Sequence, residues 1–161
     1  MALTNGPTLQ VIDPARDPEW RGRLLEHLLR LDPDERRLRF LGTTGEAGIR
    51  AHAARAAPLA LVVFAPAGIW RGCAELHPGD GPASAEIAVS VEHPWQHRGI
   101  GAALTSEASR QAQRAGRSDV RMTCLRQNTH MMQIAHKLSA NTLPLPDWAL
   151  ALFRLEAPEA P

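Results

Sequence analysis

The stretch from Glu86 to Ala102 combines a carboxylate, an alternating apolar pattern and a glycine-containing loop. Ile87, Val89 and Val91 alternate with polar or small residues, as in a strand that buries one face. The loop 96–101 follows, and helical character begins directly after it. Backbone N–H groups at a helix N-terminus lack intrahelical partners and lie at the positive end of the helix dipole. The stretch therefore predicts a site for a phosphate group.

Periodicity and capping signals predict the elements that position this stretch. We expect strands at 9–12, 59–64, 69–76, 84–91, 119–125 and 148–155. We expect helices that start at Asp17-Pro18 and Asp32-Pro33, a helix over 100–114 and one over 131–138, with a short helix or a loop at 43–57. Asp32 and Glu35 have the spacing of a capping box. This order predicts a mixed α/β domain with helices on both faces of one sheet.

Composition narrows the class of protein. The 161 residues predict one domain (1–161) with a disordered tail (156–161), and 44% hydrophobic residues suffice for a core. A net charge of +1 gives no reason to expect nucleic acid or a membrane surface as partner. No apolar run could span a bilayer and residues 1–7 lack a signal-peptide core, so we expect a cytoplasmic protein. Cys73 and Cys124 are interpreted as buried thiols.

Other kinds of catalytic site find little support. The sequence has no Gly-x-Ser-x-Gly nucleophile motif and no Cys/His pair with the pattern of a nucleophile. Five scattered histidines have no metal-ligand spacing, so we predict no metal site: His52, His77, His93, His97 and His130.

The loop Gln96-His97-Arg98-Gly99-Ile100-Gly101 resembles the pyrophosphate loop of the GNAT superfamily of acyl-CoA N-acyltransferases. The segment 85–91 before it is similar to the fourth strand of that fold, and Asn128 stands where a later helix contacts the coenzyme. The runs 125–132 and 38–42 are similar to bacterial protein lysine acetyltransferase domains. The resemblance covers about Leu59 to Leu155. It implies a GNAT-like fold, with a single, mostly antiparallel sheet and helices on both faces.

The resemblance also implies acetyl-CoA as the acyl donor. Backbone groups of the strand at 84–91 and of the loop would hold the pantetheine arm and the diphosphate, and the N–H near Val91 would serve as an oxyanion donor. Asn128 would bond the pantetheine, or would simply cap its helix. Arg98 would add a positive charge, or would be solvated. The implied coenzyme-binding residues are Val89, Ser90, Val91, Gln96, His97, Arg98, Gly99, Ile100, Gly101, Ala102 and Asn128.

Glu86 stands where histone-type members of the superfamily carry their general base. It shares a strand face with Ser90, and we expect a partly apolar environment that raises its pKa. Glu92, near the strand end, is the second choice. Close approach of a ligand to the backbone would explain Gly99 and Gly101.

Two departures from the family pattern concern the acceptor side. Many members place a tyrosine proton donor on the last helix, but Ala135 fills that slot and the sequence has no tyrosine. His136, Ser139 or water would then protonate the thiolate. The last helix ends in Ser139-Ala140 rather than Gly-Phe, and Pro144 and Pro146 follow, which predicts shortened or displaced final strands.

Three functions remain open at this level. The first is acetyl or short-acyl transfer to a primary amine, either a protein lysine or a small molecule. The second is an acyl-CoA-binding sensor without catalysis, which the missing tyrosine favours. A Rossmann-type or P-loop nucleotide site is disfavoured, because the loop has neither glycine pattern. A homodimer is compatible with the sequence, which does not decide the oligomeric state.

Overall fold

The computed structural model describes residues 6–156, so the predicted tail lies outside the described residues from position 157 onward. Seven strands are β1 (Gln10–Ile12), β2 (Ala60–Phe64), β3 (Gly72–Pro78), β4 (Ser84–Val91), β5 (Asp119–Leu125), β6 (Asn141–Leu143) and β7 (Leu150–Leu155). Five α-helices are α1 (Trp20–Arg30), α2 (Pro33–Phe40), α3 (Glu46–Arg55), α4 (Ile100–Arg114) and α5 (Thr129–Lys137). No helix within 6–156 is long and apolar enough to cross a membrane.

The strands form one sheet in the order β1-β2-β3-β4-β5-β7-β6. Each neighbouring pair is antiparallel except β4 and β5, which are parallel and joined through α4. The predicted mixed α/β architecture with a mostly antiparallel sheet is therefore confirmed.

Helices cover the two faces of the sheet separately. On one face α4 packs against β2–β5, and Leu104 and Ala108 are fully buried there. On the same face α5 packs against β5 and β7 around Met122 and Phe153. On the opposite face α1 and α3 cover β2 and β3, and Trp20, Leu24 and Leu28 form the buried helical stripe that their spacing predicts.

The parallel pair is where the sheet is least complete. The β4–β5 register begins at Ser84 with Asp119 and ends at Glu86 with Arg121, which is three residue pairs. Beyond that point β4 still pairs with β3 as far as Val91, and β5 still pairs with β7. The two halves of the sheet therefore diverge after Glu86 and leave an opening between β4 and β5.

Several element bounds differ from the sequence predictions. The first helix begins at Trp20, because Asp17 Oδ1 accepts the Glu19 N–H at 2.9 Å within a turn that precedes it. β3 lies two to three residues later than expected, because a short 3-10 turn at Pro66–Gly68 lengthens the hairpin connection. Residues 46–55 form a helix, which resolves the alternatives left open there.

The final strands were expected to be shortened or displaced, and the structure agrees with this only in part. β6 was not predicted; it has only three residues and lies at the sheet edge, paired with β7. β7 is not displaced, since it pairs with β5 from Val120 to Leu125. The capping box of α2 is confirmed, because Asp32 Oδ1 accepts the Glu35 N–H at 2.8 Å and Glu35 Oε2 accepts the Asp32 N–H at 3.3 Å.

Leu104 anchors α4, the helix that connects the two halves of the sheet, and its side chain is fully buried. We expect Leu104→Ala to lower the free energy of unfolding by about 2–5 kcal/mol, because it removes buried methyl groups and leaves a cavity. Urea unfolding followed by circular dichroism measures this. The control is Val11→Ala in the edge strand β1, where Val11 is 46% exposed. Equal losses in the two variants would contradict this packing.

Candidate active site

A cavity of about 80 Å³ lies beside the opening between β4 and β5. Its walls bring together six of the eleven residues that the sequence predicts for the coenzyme, namely Val89, Ser90, Val91, Gln96, Gly101 and Asn128. The other side is formed by Leu31, which follows α1, and by α2 residues that include Glu35 and Arg39. A smaller space of about 30 Å³ continues between the diverging strands, from Ile87–Val89 of β4 to Met122–Cys124 of β5.

The loop before α4 presents backbone N–H groups at a helix N-terminus. His97 and Gly99 both have left-handed backbones, with φ of 61° and 79°. The first intrahelical bond runs from the Ala103 N–H to the Gly99 C=O at 3.1 Å, so the N–H groups of the three residues before Ala103 have no intrahelical partner. A β-carbon at Gly99 would meet nothing within 4 Å, so the space in front of these groups is open. This geometry suits an anion.

Two residues, Gly101 and Gln96, have structural explanations that the sequence did not reveal. A β-carbon at Gly101 would lie 2.9 Å from Ile134 Cδ1, so this glycine permits α4 to pack against α5. Packing thus gives Gly101 a structural explanation, and a ligand contact at Gly101 stays a prediction, whereas a β-carbon at Gly99 would lie in open space. Gln96 Nε2 donates to the Val91 C=O at 2.9 Å, which ties the loop to the end of β4.

The backbone of β4 alternates between its two neighbours. The Glu92 N–H donates to the Arg71 C=O at 2.9 Å, so even-numbered residues of β4 direct their backbone groups at β3. Odd-numbered residues, including Val89 and Val91, direct theirs at β5. Because the β5 register ends at Glu86, the N–H groups of Val89 and Val91 point into the opening. An extended amide-bearing ligand could pair with them as an added strand does.

Asn128 caps α5, and its side chain also lines the cavity. Asn128 Oδ1 accepts the Met131 N–H at 3.1 Å, which confirms the capping alternative. The cap uses only the oxygen, so it does not exclude a bond from the side-chain nitrogen to a ligand. A ligand contact at Asn128 stays a prediction.

The charged and aromatic side chains around the loop are partly exposed. Arg98 is exposed and its guanidinium lies 5.1 Å from the Trp95 ring centroid, a cation–π distance. The rings of His97 and His130 lie edge to face at 5.2 Å. Burial, together with the charge of His97, holds the pKa of His130 below its ordinary value, so at neutral pH this cavity residue is uncharged.

Glu86 occupies a different cavity from the loop. It is exposed, on the face of the sheet that α2 and α3 border, in a space of about 250 Å³ that Phe40, His52 and His77 also line. Its surroundings are partly apolar, as expected, because Phe40, Leu41 and Ile87 line this space, but the carboxylate itself is exposed rather than buried. Arg39 borders this space and the two at the opening, so Glu86 lies at the far end of a series of adjacent spaces.

Glu75, which the sequence analysis did not identify, is buried beneath that space. Its Oε1 lies 2.7 Å from His52 Nε2 and 3.1 Å from His77 Nε2, and Arg39 donates to its Oε2. Although burial alone would raise it, the Arg39 charge and the histidine hydrogen bonds hold the pKa of Glu75 well below its usual range. A buried carboxylate that is satisfied in this way orients both rings.

His52, Glu75 and His77 have ligand atoms close enough to hold a metal ion, all within 4.8 Å of one another. The sequence missed this grouping because the two histidines are 25 residues apart and belong to different elements. Arg39 already balances the Glu75 charge, so the cluster is complete without an ion. The absence of a metal site stays a prediction.

A second buried network joins α1 to the end of β4. His27 is fully buried, with Nδ1 3.0 Å from Glu92 Oε2 and Nε2 2.8 Å from Ser90 Oγ. Arg30 and Arg71 also donate to the Glu92 carboxylate, at 3.1 and 2.9 Å. Burial alone would raise the pKa of Glu92, but the hydrogen bonds from His27 and the two arginines hold it below its ordinary value. Glu92, the second choice as base, is therefore a poor proton acceptor.

His136, a candidate proton donor, lies on the outer side of α5. His136 is exposed, whereas Ala135, the slot of the family's tyrosine, is fully buried in the core with Met122. Ser139 has a left-handed backbone with φ of 55° just after the helix. Catalytic roles for His136 and Ser139 stay predictions. The two thiols, Cys73 and Cys124, are buried and unpaired, as expected.

Glu35 is an ionisable cavity residue that the sequence suggested only as a cap. Burial, and next the neighbouring Asp32 carboxylate, raise the pKa of Glu35 to about 7. Near neutral pH this wall of the cavity therefore changes charge. A carboxyl group that is largely neutral repels a phosphate less than an ionised one does.

The raised pKa of Glu35 predicts that the free energy of unfolding depends on pH. A carboxyl group whose folded pKa is about 7, against an ordinary 4.5, stabilises the fold when protonated. That contribution is fully present below pH 4.5 and is lost as the pH rises through 7. We expect the stability of the wild type, relative to Glu35→Gln, to fall over this range, since glutamine keeps the capping box. Urea unfolding at a series of pH values measures it.

The control for this experiment is Glu26→Gln, because Glu26 is exposed on α1. Its stability difference from the wild type should be constant over the same pH range. A wild-type minus Glu35→Gln difference that does not change with pH would contradict the shifted pKa.

Comparison with known proteins was made by sequence and by structure. No protein-family model and no curated protein matches the sequence. The structure is similar to the GNAT domain of PAT from S. lividans, with a TM-score of 0.73, 15% identity, and coverage of 91% of this chain and 88% of that one. It is also similar to yncA from Salmonella typhimurium, solved with its cofactor acetyl-CoA, with a TM-score of 0.60, 20% identity, and coverage of 98% and 97%.

A third similar structure is a Bacillus subtilis acetyltransferase in complex with CoA, with a TM-score of 0.63, 14% identity, and coverage of 93% of this chain and 98% of that one. Each match extends over most of both chains, so the similarity includes both halves of this sheet. The chain therefore has the fold of the GNAT acetyltransferases.

Proposed function

We propose that this chain transfers an acetyl group, or another short acyl group, from acyl-CoA to a primary amine by direct attack, with Glu86 as the general base. One observation carries the proposal. Six residues predicted for the coenzyme from three separate segments line a single cavity beside the opening between β4 and β5. A Rossmann-type or P-loop nucleotide site would not require an opening between two strands with backbone N–H groups that point into it.

The coenzyme half of the site is the better supported. The N–H groups at the start of α4 can hold the diphosphate, and those of Val89 and Val91 can pair with the pantetheine amides. The N–H of Val91 is also the proposed oxyanion donor. Solved structures of the same fold hold acetyl-CoA and CoA, which supports acetyl-CoA as the donor.

Glu86 is suited to proton removal by its accessibility rather than by a buried environment. An amine with a pKa near ~10.4 is protonated at neutral pH and cannot attack a thioester until it loses a proton. The exposed Glu86 carboxylate can attract the ammonium group and take its proton directly or through water. His77, its cross-strand partner, is held by Glu75 and lines the same space.

The leaving thiolate needs modest help, since a thiol pKa is about 8.5. His136, Ser139 or water remain the proposed proton donors. Ala135 is buried within the core, so its position offers no place for a tyrosine hydroxyl at the site.

A protein lysine is the preferred acceptor, with a small amine as the alternative. The preference rests on the similarity of 125–132 and 38–42 to protein lysine acetyltransferase domains, and the structural similarity to the GNAT domain of PAT is consistent with it. An acyl-CoA sensor without catalysis is the second candidate, and the missing tyrosine favours it. Thiol release from acetyl-CoA in the presence of an amine panel distinguishes enzyme from sensor.

Gly99 and Gly116 are a matched pair of positions for a test of the coenzyme loop. They flank opposite ends of α4, have φ of 79° and 75°, and would each place a β-carbon in open space. Alanine at either position should cost a similar stability, about 1–2 kcal/mol. Only Gly99→Ala disturbs the N–H groups proposed for the diphosphate. We expect its Kd for CoA to rise about tenfold or more, which is about 1.4 kcal/mol.

Isothermal titration calorimetry with CoA measures this difference, and Gly116→Ala should bind as the wild type does. Equal weakening in both variants would mean that the loop acts only through the stability of α4. No binding to the wild type at millimolar CoA would contradict the proposed function.

Glu86→Gln tests the general base. We expect kcat for thiol release with amine present to fall about 10²-fold or more, while CoA affinity stays unchanged, because the amide cannot accept the proton. Glu46→Gln, an exposed glutamate on α3, is the control and should leave both quantities unchanged. An unchanged kcat in Glu86→Gln would remove Glu86 from the mechanism.

A further inference from the structure

The Ser90–His27–Glu92 network has the connectivity of a nucleophilic triad. The hydroxyl, the imidazole and the carboxylate are joined in that order by contacts of 2.8 and 3.0 Å. The three residues come from α1, from β4 and from the position just after β4, and no sequence motif joins them. Nucleophile, base and orienting acid at hydrogen-bond distances are the signature of an activated hydroxyl.

The ionised Glu92 carboxylate sets the direction of the hydrogen bond that it shares with His27. Glu92 is ionised and can only accept, so His27 Nδ1 carries the proton that faces it. In the tautomer with its proton on Nδ1, Nε2 accepts the Ser90 hydroxyl. This tautomer is the one in which histidine can remove a proton from serine.

Two arginines also hold the Glu92 carboxylate. Glu92 already receives hydrogen bonds from Arg30 and Arg71, so His27 is not required to balance its charge. His27 is fully buried, and Ser90 is the member of the triad that lines the coenzyme cavity. The network therefore connects a buried imidazole to a hydroxyl residue that lines the cavity proposed for the coenzyme.

The surroundings of Ser90 also suit an acyl intermediate. Its neighbours Val89 and Val91 direct backbone N–H groups into the opening between β4 and β5. Donors of this kind stabilise the oxyanion that forms when a hydroxyl attacks a carbonyl carbon. Ser90 thus lies between two donors in the cavity proposed for the coenzyme.

We infer that Ser90 is a nucleophile that accepts an acyl group from activated esters and thioesters, which gives the protein acyl-CoA hydrolase activity when no amine is bound. For acyl-CoA as the donor this rests on the proposed function. Ser90 Oγ forms a bond to the carbonyl carbon, its proton passes to His27 Nε2, and the carbon–sulfur bond breaks. His27 returns the proton to the CoA thiolate. Water then attacks the acyl-serine, gives a proton to His27, and the proton returns to Ser90 as the carboxylic acid leaves.

Two arginines near His27 should slow the step in which His27 takes the proton from Ser90. Arg30 and Arg71 both contact Glu92, and their positive charges oppose the charge that His27 acquires when it takes the proton. Both guanidinium groups are partly exposed, so solvent screens them. We therefore expect slow hydrolysis.

Acid-quenched intact-mass spectrometry tests the inference, with p-nitrophenyl acetate and acetyl-CoA as separate probes. We expect one acetyl group on the wild-type protein, mapped to the peptide that contains Ser90. Ser90→Ala should lose this label, and His27→Gln should slow its formation about 10²–10⁴-fold through loss of the base. Ser90→Cys keeps a nucleophile and should carry a thioester-linked acetyl group.

The matched control is Ser109→Ala, because Ser109 is a buried serine on α4 whose hydroxyl has no hydrogen-bond partner among the described residues. It should label as the wild type does. Circular dichroism establishes that each variant is folded, and Ser90→Cys serves if Ser90→Ala is not. A label that maps elsewhere, or no label on either the wild type or Ser90→Cys, would overturn the inference.

The two probes separate this inference from the proposed function. p-Nitrophenyl acetate needs no CoA site, so a Ser90 label from the ester without calorimetric binding of acetyl-CoA would overturn the proposed function and support the nucleophile. Acetyl-CoA binding and amine-dependent thiol release without any label on Ser90 would support the proposed function and overturn the inference.

Discussion

The early end of the β4–β5 pairing is the constraint on which the rest of the site depends. Three residue pairs hold the two halves of the sheet together, and everything beyond Glu86 on β4 lacks a strand partner on that side. Unpaired backbone groups in a protein interior are costly unless a ligand or water satisfies them. The opening is therefore a part of the fold that a bound molecule completes, since an extended amide chain can supply the missing strand.

Two buried carboxylates fix the positions of α1 and α2 relative to this opening. Glu75 on β3 receives Arg39 of α2, and Glu92 after β4 receives Arg30 of α1. Buried ion pairs contribute little net stability against apolar replacements, but each pair fixes where a helix meets the sheet. Arg39 and His27 reach the site because these charges position their helices, and the apolar stripe of α1 alone would permit small shifts along the sheet.

The sequence predicted β4, α4 and β5 with correct bounds, because strict alternation, a glycine at each end of α4 and an apolar face leave few alternatives. It could not predict the triad, since His27 is separated from Ser90 by 63 residues and reads as a member of a leucine-rich helical face. The exposure of Glu86 was equally hidden. It depends on how far α2 and α3 extend over the sheet, which no local pattern reports. The packing role of Gly101 was not predicted, because a glycine that permits helix packing and one that faces a ligand look alike in sequence.

The division of the sheet also governs how the protein opens in the native state. β2, β3 and β4 are antiparallel and follow one another directly in sequence, and β5–β7 are also antiparallel, whereas the parallel contact between β4 and β5 closes only after the long crossover through α4. Such locally connected groups behave as separate cooperative units in hydrogen exchange. The amides of β5 and β7 should therefore exchange through a partial opening that leaves β2–β4 intact. A ligand that spans the boundary would merge the two units into one, and slower exchange in β5 would report its presence without any chemical turnover.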